Sequence, residues 1–135
     1  MLFDAFDDLN WVAVVIAALA YWVLGAIWYN DAVMGKKWRE ATGVDMSKPT
    51  AQQIVGNLAL WFIAALALGL ISTAIGADDV LDGLVLGLVV SFGFIVTNRI
   101  NEHLYVGGKQ ALMKANAPYA LIGFALMGII LALMN

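Results

Sequence analysis

Four stretches of the chain are apolar almost without interruption: residues 11–29, 54–75, 80–98 and 117–134. Each runs about 18–22 residues. At about 1.5 Å per residue, that crosses a hydrocarbon core of about 30 Å. A backbone in lipid must satisfy its own hydrogen bonds, so the pattern predicts helices rather than open strands. Apart from Asp82 at the very start of the third stretch, none of them holds a charged residue. The expected fold is all-α: a polytopic membrane protein, one four-transmembrane-helix bundle over residues 1–135.

Local punctuation fits these spans. Thr50 and Gln53 have the spacing of a capping box, with Pro49 just before them. Gly76 stops the second span. Asp79 is placed to cap the third, and Asp82 falls in its first turn, where the helix dipole favours an anion. The turn at residues 76–79 is short, so spans two and three are expected as an antiparallel hairpin. Asn116 is expected to cap span four, with Pro118 in its first turn, where a missing N–H does no harm. In the loop after span one, Met34, Trp38 and Thr42 recur every fourth residue with Lys36, Lys37 and Arg39 between them. That spacing predicts a short interfacial helix over Ala32–Thr42.

Composition narrows the reading. Of 135 residues, 63% are hydrophobic and only 13% charged, and the mean hydropathy of +0.87 excludes a water-soluble monomer. The absence of cysteine removes disulfides, thiolate metal sites and thiol nucleophiles. Seven basic residues are too few for a nucleic-acid face. Those seven are Lys36, Lys37, Arg39 and Lys48 after span one and Arg99, Lys109 and Lys114 after span three. The positive-inside rule therefore predicts both loops cytoplasmic and both termini periplasmic, in a bacterial inner membrane. The acidic start, with Asp4, Asp7 and Asp8, does not read as a cleaved leader.

Candidate chemistry is sparse. Ionisable groups are missing from the interior of the spans, which argues against a proton pump or an ion-coupled carrier. His103 is the single histidine; with Glu102 beside it on a helix, the two side chains point about 100° apart and do not share a metal. Arg99 and Glu102 are expected to pair at the helix end. Ser47, Ser72 and Ser91 are the serines, and none is marked as a nucleophile. No catalytic residue, metal site or cofactor is expected.

Two sets of residues stand out. Gly83, Gly87 and Ser91 recur every fourth residue, with Phe94, Asn98 and Asn101 continuing the face. Such a small-residue stripe lets helices approach closely, either within the bundle or as an oligomer seam. Asn57, Trp61, Asn98, Asn116 and Tyr119 form a polar set at one depth. Their amides either satisfy one another and knit the bundle, or line a ligand pocket. Trp11, Trp28, Tyr29 and Trp38 suit interfacial anchors, whereas Trp22 and Trp61 fall near mid-bilayer and are expected to pack across spans one and two.

A family resemblance rests on ordered motifs across nearly the whole chain. These are Asn10-Trp11, Gly25-Ala26-Ile27-Trp28-Tyr29, Gly35-Lys36-Lys37-Trp38, Phe94-Ile95-Val96-Thr97-Asn98 with Leu104-Tyr105, Asn116-Ala117-Pro118-Tyr119, and Met127-Gly128-Ile129-Ile130-Leu131. Together they resemble the bacterial membrane family known as domain of unknown function 1761. The resemblance implies a small polytopic membrane protein and supplies no activity, substrate or cofactor. Where the family often reads Asn-Ala-Gly-Tyr-His, this chain has Pro118 at the Gly position and Ala120 at the His position.

The functional expectation is a non-catalytic structural or accessory protein in the lipid bilayer, self-associating as a homo-oligomer or docked on a larger membrane complex through the Gly83–Gly87–Ser91 face. The alternative is a transporter, channel or small-ligand-binding protein for a neutral solute or lipid.

Overall fold

The structure is a computed structural model and describes residues 2–43, 49–107 and 110–135. Ser47, Lys48 and Lys109 lie outside the described residues. Two short helical turns, Leu2–Asp4 and Ala5–Asp8, precede five longer helices. These are α1 (Trp11–Trp28), α2 (Gly35–Thr42), α3 (Ala51–Ile75), α4 (Val80–Val106) and α5 (Gln110–Leu133). All but α2 are long and apolar enough to cross a membrane, the architecture of a multi-pass membrane protein.

The helix starts follow local chemistry. Asn10 caps α1 by accepting the Ala13 N–H at 3.1 Å. Both bonds of the Thr50/Gln53 capping box form, at 2.8 and 3.1 Å. The Asp79 carboxylate takes the Asp82 N–H at 2.8 Å. Gly76, at φ +71°, ends α3 in the left-handed conformation that a side chain would disfavour.

Three boundaries depart from the sequence expectation. The interfacial helix begins at Gly35, not Ala32, because Asn30 captures the backbone first. Its Oδ1 accepts the Ala32 N–H, and its carbonyl accepts those of Val33 and Gly35. Helix α4 runs on to Val106, beyond residue 98, because polarity ends only its membrane part; the helix itself stops at Gly107, at φ +78°. Helix α5 begins at Gln110, not 117, so Asn116 is no cap and Pro118 lies inside the helix. A proline there removes one backbone donor. Side chains of α1 hold the segment regardless: Trp28 Nε1 donates to the Ala115 carbonyl at 2.8 Å, and the Tyr29 hydroxyl donates to Asn116 Oδ1.

The central helix is α5. Half of its apolar window is buried, against 17–28% for the other three spans. Helix α1 packs on α5 and α3, and α4 packs on α5. Spans two and three are antiparallel, but they do not pack as a hairpin: α3 and α4 scarcely meet despite their short connection. The buried core runs through Val14, Ala17, Tyr21, Leu68, Phe124 and Met127.

Candidate functional site

The small-residue stripe is occupied from within. A Cβ at Gly83 would strike the Gly128 carbonyl, and one at Gly87 would strike the Phe124 carbonyl. Both glycines thus serve a backbone-to-backbone approach of α4 on α5. Ser91, fully buried, returns its hydroxyl to the Gly87 carbonyl at 2.7 Å. Of the two expectations for this stripe, these contacts match packing within the bundle.

Nor does the stripe continue to Phe94, Asn98 and Asn101. Residues Ser91–Val96 form a π-helical segment, and Phe94 is 71% exposed. A π segment winds wider than an α-helix and breaks the four-residue register. Ser91, its first residue, and Thr97, just after it, each donate to the carbonyl four residues back. Below it, the residues Thr97–Glu102 are exposed, and a groove of about 510 Å³ opens along Phe94, Ile95, Asn98, Arg99, Asn101 and Glu102.

The polar set divides between these surroundings. Tyr119 and Trp61 join Tyr21 in a packed aromatic cluster. The Tyr21 ring lies 4.4 Å from Trp61 and 4.7 Å from Tyr119, with Phe124 edge-on at 5.5 Å. These spacings are those of direct ring packing. The Tyr119 hydroxyl donates to the Tyr21 carbonyl at 3.0 Å, and it fits because residue 25 is glycine; a Cβ there would lie 2.6 Å from that oxygen. Asn116 accepts from Tyr29.

Asn57 and Asn98 are different. Neither has a side-chain hydrogen bond among the described residues, and Asn98 is exposed. They stand equally far along the chain from the turn that joins α3 and α4, toward the basic-loop ends of two helices that scarcely meet. Arg99 is loosely paired with Glu102 at 3.6 Å, as its spacing predicts. The groove on α4 thus offers the Asn98 amide and the Arg99 guanidinium beside Phe94 and Ile95, while Asn57 stands on α3 outside that lining. Such a lining can accept and donate hydrogen bonds to one polar group while apolar surface covers the rest of a ligand.

The expected anchors sort by direction. Trp11 is exposed at the start of α1, whereas Trp28 and Tyr29 turn inward to α5. Trp38 is half-buried on α2, its ring 6.1 Å from Tyr29. Sequence reasoning missed Tyr21 as the hub of the cluster. The nearest signal was Gly123, which sits where a Cβ would strike the Tyr21 ring. It also missed the pairing of Asp31 with Arg39 at 2.7 Å. At the other end of the molecule, exposed Asp78, Asp79 and Asp82 gather carboxylates within 4.8 Å, with Asp79 already engaged as a cap.

No curated protein and no solved structure matches the chain. The family model described as protein of unknown function (DUF1761) matches residues 12–132. That match reaches all four of the long apolar helices, and the chain belongs to this family.

Proposed function

We propose that the chain is a non-catalytic protein of a bacterial inner membrane, termini periplasmic, that holds a small amphiphile such as a lipid at the open end of its bundle. The observation that carries this reading is the pair of unpartnered amides, Asn57 and Asn98, on helices that separate toward that end. An amide in lipid without a partner is costly, and a ligand's polar group removes the cost. The basic residues of the two loops at that end support a cytoplasmic side for it. Native mass spectrometry of the purified chain tests the reading: it expects a bound small molecule at this end, so that retention drops by one molecule per chain in Asn57→Leu and Asn98→Leu. A bare chain, or retention unchanged in both variants, refutes it.

A second reading, an accessory subunit in a homo-oligomer or a larger complex, has its own support. The last turn of α4 presents Leu104, Tyr105 and Val106 at 75–85% exposure, beyond the charged Arg99 and Glu102. An apolar turn outside the span suits docking on another protein. Because the chain has no cysteine, Tyr105→Cys gives a single crosslinking site. A self-crosslinked dimer would support the homo-oligomer, and a heavier adduct a larger partner.

A further inference from the structure

A second cavity lies away from the open groove, where α1 ends and α2 begins. Its volume is about 310 Å³, and Tyr29, Asn30, Asp31, Trp38 and Arg39 line it. It opens immediately past the last residue of an apolar 18-residue span, the level at which lipid headgroups sit. Its floor is fixed: the Asn30 carbonyl gathers two backbone N–H groups, and Gly35 is buried against the Tyr29 carbonyl with no room for a Cβ.

The lining carries both signs of charge and two aromatic faces. Asp31 and Arg39 pair at 2.7 Å, with their side chains 67% and 37% exposed, so the pair stands at the mouth. Arg39 Nε is buried and has no hydrogen-bond partner among the described residues. A guanidinium offers five donors in a planar fork, matched to phosphate. The Tyr29 and Trp38 rings, 6.1 Å apart and at 73°, make a corner suited to a cation beside the Asp31 carboxylate. Next to the cavity, α1 exposes Val23, one turn before the lining residue Ala26, and Ile27 beside it, at 48% and 58%, an apolar strip leading away from the mouth.

We propose that this cavity binds the headgroup of a zwitterionic phospholipid, its ammonium against Asp31, Trp38 and Tyr29, its phosphate on Arg39, and its acyl chains along Val23 and Ile27. The ligand carries the same two charges that the ion pair now offers each other, so it replaces that pair without leaving either charge unmatched.

The test is lipid retention. The full chain is placed in nanodiscs of equal phosphatidylethanolamine and phosphatidylglycerol, released, and weighed by native mass spectrometry with the bound lipid identified. The expected result is a preference for phosphatidylethanolamine that falls about tenfold in Asp31→Asn and in Arg39→Gln. Arg39→Lys, which keeps the charge but loses the fork, is expected to fall between them and the native chain. All three changes are at partly exposed positions, and circular dichroism confirms that the helices remain. Equal retention of the two lipids by the native chain overturns the proposal, as does a preference that survives both Asp31→Asn and Arg39→Gln. Binding of soluble phosphoethanolamine as tight as that of the lipid overturns the lipid as its source. Asn57→Leu and Asn98→Leu read the other site, so the two proposals fail separately.

Discussion

The two ends of this bundle are built by opposite rules. At the end that holds the termini, the outer one in the proposed orientation, the backbones touch. Gly83, Gly87 and Gly128 bring α4 onto α5, and the termini are tied in, with Asn10 Nδ2 donating to the Met134 carbonyl at 2.7 Å and Asn135 Nδ2 to the Ala77 carbonyl at 2.8 Å. At the other end the π segment breaks the close register of α4, the first turns of α3 are exposed, and contact passes to long side chains: Trp28, Tyr29 and Tyr119 reach across to carbonyl and amide groups. Packing by small residues leaves no room for a ligand. Packing by long polar and aromatic side chains leaves gaps with hydrogen-bonding walls. The difference teaches where a binding function fits in so small a protein.

Mutation breaks or sharpens that contrast. The largest effect is expected from Gly87→Leu, which drives a side chain into the α5 backbone and costs about 3 kcal/mol, read as a lower thermal midpoint in detergent. Gly93→Leu, inside the π segment, meets nothing within 4 Å and is expected to leave the midpoint nearly unchanged. Equal losses would erase the distinction between the two ends. Trp28→Phe removes the indole bond to Ala115 and some packing, about 1.5 kcal/mol by the same melting measurement. Thr50→Ala dismantles the capping box and costs about 1 kcal/mol, measured by denaturant titration of helix content. The smallest effect on folding is expected from Asn57→Leu, within about 0.5 kcal/mol of the native chain, because no hydrogen bond is lost. A loss of several times that size would mean that Asn57 is structural.

How much of this was legible in the sequence depended on range. Apolar run length and caps at Asp79 and Thr50 are local signals, and the structure places those helices accordingly. The start of α5 was not legible. Pro118 and Asn116 look like a helix beginning, and only the reach of Trp28 and Tyr29 from a distant helix carries α5 through them. The glycine stripe was legible as a close approach, but its partner was not, since a four-residue spacing is the same whether the other helix belongs to the same chain or another. The site candidates divided for a related reason. Depth along a span can be counted, so Asn57 and Asn98 were placed at one level. Which way each side chain faces depends on the π segment, and no spacing in Ser91–Val96 announces it.

The central claim is that α3 and α4 part at their inner ends. A cysteine-free chain permits it to be measured directly in lipid bilayers, by electron–electron distance measurements on paired spin labels. One pair at Ile71 and Leu84 reads the outer end, and another at Asn57 and Asn98 reads the inner. The account predicts a short, narrow distance for the outer pair and a clearly longer one for the inner. Two short distances would mean a closed hairpin and would contradict it.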